Sequence, residues 1–588
     1  MFRRVLIANR GEIALRVIRT AKEMGIETIA VYSDADRNAM HVRRADRAVR
    51  IGPPSPRESY LRGDLILEAA RGAGADCIHP GYGFLSENAA FSQLCLDAGI
   101  TFLGPSPHAI AVMGDKVEAR RAAKAAGVPL VPGLEDDVKD DAVLAQTAAK
   151  IGYPVMLKAA AGGGGKGIRI VRDASGLLDA AKMARAEAKG AFGDDRIYLE
   201  KFVMRPRHVE VQVMGDRHGK VVAWGERECS VQRRHQKLVE ESPSPAIDAA
   251  MRAAMCDAAC RLSRAVGYVG AGTVEFLASG GAYWFLEMNT RLQVEHPITE
   301  MRFGVDLVRE QFRVAAGLPA TEPCEPRGHA IEIRVNAEDP ETWFPALGTV
   351  RRLATPGGPG VRLDAALYRG LEVTPHYDSM LAKLIVHAED RPAAIERAIR
   401  ALRELRIVGV TTSTSAALKV LQSEEFRGGD YDTGILERID RKPSARAIEV
   451  DLSAVGDGGA FSLIVDGRSY DCVLEREQGR FVVQVIGERI VVDVQDDRER
   501  AASRVAGHKH GGRRTIEAAM PGVVVDVRVA VGDVVEDGAT LVVLEAMKMQ
   551  NPIPSEGAGK VTKVLVKPRD VVAAGAPLVE LDDEPGAK

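Results

Sequence analysis

The stretch at residues 522–544, "GVVVDVRVAVGDVVEDGATLVVL", recurs at 559–581 as "GKVTKVLVKPRDVVAAGAPLVEL", with 12 of 23 positions identical at a constant offset of 37. Self-similarity at a fixed period marks two copies of one supersecondary unit that share a core. In each copy small apolar residues alternate with polar ones at the two-residue period of a strand, and each carries a glycine turn, at Gly538 and Gly575. The C-terminal part is therefore expected to be a small duplicated β structure. Its two halves are joined by "EAMKMQNPIPSEG", where Lys548 sits between Met547 and Met549. A hairpin tip at the symmetry point holds one side chain away from the body. Two apolar residues left beside that lysine distinguish it from an ordinary solvated surface lysine.

The rest of the chain is read from broader signals. Its 588 residues suffice for roughly four domains. A net charge of -3 with signs mixed along the chain provides no basic face for nucleic acid and no polybasic anchor for a membrane surface. The apolar run near the N-terminus is broken by Arg10 and Glu12, unlike a secretory signal, and no run approaches the roughly 20 apolar residues of a membrane span. Seven scattered cysteines without a CxxC pair suit reduced thiols, so a cytoplasmic location is expected. Cys256 and Cys260 share one helix face and read as core.

Residues 2 to 9 read as a strand, 11 to 24 as an amphipathic helix and 26 to 32 as a second strand, which opens an α/β layered domain. No GxGxxG follows the first strand, so dinucleotide binding there is not expected. Residues 447 to 497 turn to alternating β patterns, and "RERAASRVAGHKHGGRR" (498–514) reads as a polar linker that gives a tethered carrier slack.

Two stretches carry the chemistry. In "GYPVMLKAAAGGGGKGIRIV" (152–171), Lys158 ends a strand, and Gly162, Gly163, Gly164 and Gly165 form a loop whose backbone N–H groups can approach phosphate oxygens because no Cβ intervenes. A Gly loop alone is weak evidence, and this one is not the GxxxxGK[ST] pattern. In "TVEFLASGGAYWFLEMNTRLQVEHPITE" (273–300), a turn at Gly280 and Gly281 returns the strand of Glu275 along that of Glu287 and Asn289. Such a hairpin converges two carboxylates and an amide on hard cations that also bind phosphate. A salt-bridged edge pair is the bland alternative, disfavoured because both carboxylates interrupt apolar strands.

"EAMKM" between two half-barrels resembles the biotinyl domain of biotin-dependent carboxylases, in which the lysine between the methionines carries biotin. Residues 1 to about 446 resemble biotin carboxylase, an ATP-grasp enzyme, at "HPGYGFLSENA" (79–89), "MGDK" (113–116), "EKFVMRPRHVEVQV" (200–213), "ERECSVQRRHQKLVEESP" (226–243), "EMNTRLQVEHP" (287–297) and "GHAIEIRVNAEDP" (328–340). The fold implied is an α/β carboxylase with an ATP-grasp fold followed by all-β segments. Its implied parts are 1–115, an N-terminal α/β domain; 116–330, the ATP-grasp domain with a mobile Gly-rich lid at about 132–203; and 331–446, a C-terminal domain. A β-rich docking region (447–497), the linker (498–514) and the biotinyl domain (515–584) complete it.

The same resemblance implies roles for individual residues. Lys548 is the biotin attachment point. Lys116 and Lys158 contact nucleotide phosphates under the Gly loop, with Glu200, Lys201, His208, Gln232 and His235 around the nucleotide. Glu275, Glu287 and Asn289 hold Mg2+ (or Mn2+). Lys237, Arg291, Gln293 and Val294 line the bicarbonate site, Glu295 is the general base, and Arg334 faces the biotin ureido oxygen. The implied cofactors and substrates are biotin, ATP, Mg2+ and bicarbonate. Implied partners are a biotin protein ligase, a second carboxylase copy and a separate carboxyltransferase β subunit, because 447 to 515 are too few residues for a crotonase-like domain or a barrel. The expected acceptor is acetyl-CoA or propionyl-CoA. Methylcrotonyl-CoA, longer acyl-CoA and a non-CoA acceptor such as pyruvate are the alternatives. Two other classes stay open: an ATP-grasp ligase with a lipoyl arm, and a non-catalytic carrier.

Overall fold

The structure is a computed structural model that describes residues 1–133, 140–159, 168–192, 195–233, 236–439, 450–455, 459–465, 468–477, 480–485, 488–492, 514–518, 522–546, 549–555, 557–573 and 575–582. The expected opening is found as strand Arg4–Ile7, helix Gly11–Glu23 and strand Glu27–Ser33. Gly11, at φ +67°, makes the sharp turn from strand into helix. Ile13, Val17 and Ile18 of that helix pack with Val5 and Ile7. The sheet is parallel and five-stranded, in the order Arg47–Gly52, Glu27–Ser33, Arg4–Ile7, Cys77–His79, Thr101–Phe102.

An eight-stranded antiparallel sheet forms the centre. Its order is Ala282–Asn289, Gly270–Ser279, Arg207–Gly215, Val221–Arg233, Gln236–Ser242, His329–Asn336, Met380–Ala388 and Val361–Ala365. Strand His329–Asn336 pairs with Gln236–Ser242 on one side and Met380–Ala388 on the other. The sheet therefore runs unbroken across position 330, and side chains from both sides of that position share one face.

A separate three-stranded sheet, Ile168–Val171, Val155–Ala159 and Ile197–Lys201, flanks this centre. The Gly162–Gly165 loop between its first two strands lies outside the described residues, as does His235. The β-rich region is a five-stranded meander from Val450–Val455 to Glu488–Val492. It is seated on the preceding domain through buried Gln484, whose amide donates to the carbonyls of Ile407 and Val410 and accepts from Gly409 N–H. An Arg351–Glu475 ion pair adds to that contact. Most of the expected linker, residues 498–513, lies outside the described residues.

The repeat folds as two interlocked four-stranded sheets. Strand Gly522–Val527 of the first copy pairs with Val571–Val572 of the second, and Gly559–Val564 of the second pairs with Val534–Val535 of the first. Neither copy can close its core alone. Leu541 and Leu544 of one copy and their equivalents Leu578 and Leu581 are all fully buried, and Gly538 and Gly575 take matching positive φ of 80° and 78°. Ala546 pairs with Met549 across the hairpin that carries Lys548, which itself lies outside the described residues.

Candidate active site

The hairpin read from the sequence is present: strands Gly270–Ser279 and Ala282–Asn289, joined at Gly280 and Gly281, place Glu275 directly opposite Glu287. Two like charges facing each other across a strand pair repel unless a cation lies between them. Glu287 lies at the open side of the cleft, and partial burial together with the Glu275 charge pushes its pKa up. Asn289 Nδ2 donates to Glu275 Oε1 at 2.9 Å, and its Oδ1 accepts from Arg291 Nη2 at 2.9 Å. Hard oxygen donors in this arrangement fit Mg2+, which has to compete with Arg291 for the Asn289 oxygen.

Behind this hairpin lies a buried network of charge. Glu295 precedes helix His296–Phe303 and is fully buried. Its Oε1 accepts from Lys237 Nζ at 2.6 Å and its Oε2 from Arg334 Nη2 at 2.9 Å. Burial alone would raise the Glu295 pKa. Lys237, Arg334 and Arg227 override that effect and hold the carboxyl well below its usual range. Lys237 also donates to Glu210 Oε2 at 2.6 Å and Glu275 Oε1 at 3.1 Å, so one ammonium serves three carboxylates. Arg334 is held from behind by Glu240 Oε1 at 2.6 Å. The Glu240 pKa is raised to about 7 because burial outweighs the pull of Arg334.

Arg291 donates to Glu87 at 2.7 Å and to Gln293 Oε1 at 2.8 Å, while Gln293 Nε2 donates to Glu275 at 3.1 Å. His208 Nε2 lies 3.0 Å from Glu275 Oε2. Burial disfavours the imidazolium, but the Glu275 charge outweighs it and raises the His208 pKa. Gln232 sits opposite Lys237 on the neighbouring strand.

One group of expected residues therefore converges: His208, Gln232, Lys237, Glu275, Glu287, Asn289, Arg291, Gln293, Val294, Glu295 and Arg334. Another group lies on the smaller sheet. There Glu200 is clasped by Lys158 at 2.5 Å and Arg120 at 2.6 Å, and Lys201 donates to the carbonyls of Gly152 and Tyr153. Lys116 opens helix Lys116–Ala125, and its charge offsets only part of the rise in the Glu287 pKa.

Sequence reasoning missed Glu210, Arg227, Glu240 and Glu87. Arg227 is fully buried and donates to Glu210, Gln212, Thr273 and Thr299. The available signal was charge interrupting apolar strand, as in "HVEVQV" and "KLVEES".

Comparison with known proteins finds relatives along most of the chain. Residues 1–110 match the family "Biotin carboxylase, N-terminal domain", 115–322 "Carbamoyl-phosphate synthase L chain, ATP binding domain", 332–438 "Biotin carboxylase C-terminal domain" and 514–581 "Biotin-requiring enzyme". Biotin carboxylase 1 of Bacillus subtilis is 49% identical over 446 residues, 75% of this chain and 99% of the relative. One of the pyruvate carboxylase subunits of Methanothermobacter thermautotrophicus is 50% identical over 445 residues, 75% of this chain and 91% of the relative. The biotin carboxylase domain dimer of the Hydrogenobacter thermophilus 2-oxoglutarate carboxylase, solved with MgADP, ADP and bicarbonate, superposes with a TM-score of 0.70 at 45% identity, covering 75% of this chain and all of that one. The chain belongs to the biotin carboxylase family: it is an ATP-dependent ligase with an ATP-grasp α/β fold, joined in one polypeptide to an all-β biotinyl domain.

Proposed function

We propose that this chain is the α subunit of an acyl-CoA carboxylase, carboxylating biotin on Lys548 from ATP and bicarbonate for a separate carboxyltransferase that serves acetyl-CoA or propionyl-CoA. The observation that carries this reading is the layout. Carboxylase and carrier share one chain, and residues 439–513 between the matched regions are too few for a carboxyltransferase. The meander within that interval rests on the carboxylase, which suits a docking role. A 2-oxo acid acceptor is the second reading, favoured by relatives that bear the names pyruvate carboxylase and 2-oxoglutarate carboxylase. Pairing of two carboxylase copies, loading by a biotin protein ligase and a cytoplasmic location belong to the same proposal.

At the site, Glu295 is the proton acceptor for bicarbonate, with Lys237, Arg291, Gln293 and Val294 defining where the anion sits. The resting carboxylate is held ionised by Lys237 and Arg334. Lys237 would be shared with bound bicarbonate, and Arg334 would be shared with the ureido oxygen of biotin. The Glu295 pKa then rises as its partners are shared, so its basicity appears when substrates are in place. Lys116, Lys158, Glu200, Lys201, His208, Gln232 and His235, with Gly162–Gly165, are the residues assigned to the nucleotide. Glu275, Glu287 and Asn289 would hold Mg2+, which would supply charge stabilisation for phosphoryl transfer. Biotin supplies the ureido nitrogen that receives the carboxyl group.

Glu295→Gln keeps shape but removes the proton acceptor. Bicarbonate-dependent ATP cleavage should fall by about 10²-fold or more while nucleotide affinity is retained. Near wild-type turnover in saturating bicarbonate would make Glu295 structural.

A further inference from the structure

Lys383 lies on strand Met380–Ala388, opposite Arg334 on one neighbour and Asp364 on the other, and is fully buried. Its Nζ donates to the Val294 carbonyl oxygen at 2.8 Å. An acid, Glu12 Oε2 in the first turn of the N-terminal helix, is 3.5 Å away, and the Tyr82 ring centroid is at 5.7 Å. Three separate segments therefore meet on one ammonium: the helix of Glu12, the turn of Tyr82, and the loop that ends at Glu295.

Carboxylates surround this lysine, but its short bond is to none of them: Glu12 is 3.5 Å away, and Asp364, opposite it on the next strand, is clasped by Arg362. Both carboxylate oxygens of Glu12 and of Glu332 are buried without a hydrogen-bond partner among the described residues. Burial raises the Glu12 pKa to about 7 against the opposing charge of Lys383, and raises that of Glu332 well above the usual range. The short bond of Lys383 goes to backbone. A buried ammonium is costly, and a neutral donor would satisfy one carbonyl at less expense. What the ammonium adds is a strong, directional hold on the Val294–Glu295 peptide.

We propose that Lys383 is a positioning residue that fixes the backbone of Glu295 through the Val294 carbonyl, keeping the proton acceptor in place while its side-chain partners are engaged by substrates. This rests on the reading of Glu295 as the acceptor. In the resting molecule Glu295 is pinned twice, by Lys237 and Arg334 on its side chain and by Lys383 on its main chain. The side-chain partners are the groups assigned to bicarbonate and biotin, so their hold relaxes during the reaction. Lys383 is sealed from the cleft, and its hold persists.

The test uses the full chain and three variants: Lys383→Met, the double variant Glu12→Gln/Lys383→Met, which removes the acid facing the lost cation, and Glu295→Gln. Bicarbonate-dependent ATP cleavage is measured per site able to bind nucleotide, together with the KM values for ATP and bicarbonate and thermal unfolding. In the double variant kcat should fall by about 10- to 100-fold and the bicarbonate KM should rise, with the ATP KM within about twofold of wild type. A purely structural role would lower stability and the number of active sites but leave kcat per active site unchanged, and that result overturns the proposal. If Lys383→Met alone fails to fold, the double variant carries the test. Should Glu295→Gln retain turnover, the acceptor reading itself fails. Should Glu295→Gln lose turnover while the double variant keeps it, only the role of Lys383 fails.

Discussion

Replacing Lys237 by Met removes the one ammonium that faces Glu210, Glu275 and Glu295 at 2.6, 3.1 and 2.6 Å. At an effective dielectric near 20 each such contact is a gross attraction of roughly 4 kcal/mol, and breaking a buried pair costs about 3–5 kcal/mol net. Other cations cover part of the deficit: Arg227 remains on Glu210, Arg334 on Glu295 and His208 on Glu275. We therefore expect a loss of about 3–5 kcal/mol in unfolding free energy near neutral pH, not several times that amount. The sign of its pH dependence follows from Glu295. In the wild type its depressed pKa contributes stability that is present above the unfolded carboxylate range and lost only as pH falls through the low folded value. Without Lys237 the folded pKa rises, and the variant takes up protons that the wild type does not. The stability gap should then narrow as pH falls from neutrality into the carboxylate range, by about 1.4 kcal/mol per unit for each extra proton bound. Denaturant unfolding of both proteins across that range measures the gap, and phosphate release measures turnover, expected to fall by about 10² or more. A gap that widens as pH falls, or turnover close to wild type, would refute the reasoning.

Lys548→Arg keeps the charge but lacks a primary amine for acylation, so avidin reactivity should disappear while ATP cleavage with free biotin persists, checked by blot and phosphate release. For Glu287→Gln, the Mg2+ concentration at half-maximal ATP cleavage should rise by about tenfold or more, because one hard anionic ligand is lost; an unchanged Mg2+ midpoint would remove Glu287 from the metal set.

The parts legible in the sequence were those written locally. The 37-residue repeat foretold paired β units with buried Leu541 and Leu578 in equivalent places, and Gly280–Gly281 foretold the hairpin that sets Glu275 against Glu287. The interlocking of the two copies was not written there, because a strand pattern states its period but not its partner. The same limit hid much of the charge network. Lys237, Glu210, Glu295 and Arg334 stand on four segments brought together only by the order of the eight-stranded sheet and the helix beneath it. Motif resemblance supplied Lys237, Glu295 and Arg334. A charge interrupting an apolar strand was the one local sign of Glu210 and Glu240, and nothing local marked Arg227 or Lys383, whose importance appears only once their burial and partners are known.

The central claim is that this chain loads its own biotin arm with a carboxyl group and stops there. The biotinylated chain, incubated with ATP, Mg2+ and ¹⁴C-bicarbonate and then with acetyl-CoA or propionyl-CoA, tests it in one tube. The account predicts label retained on the protein, located by peptide mass at Lys548, with none in acyl-CoA until a separate carboxyltransferase is supplied. Label entering acyl-CoA with the chain alone, or no label on Lys548 despite ATP cleavage, would contradict it.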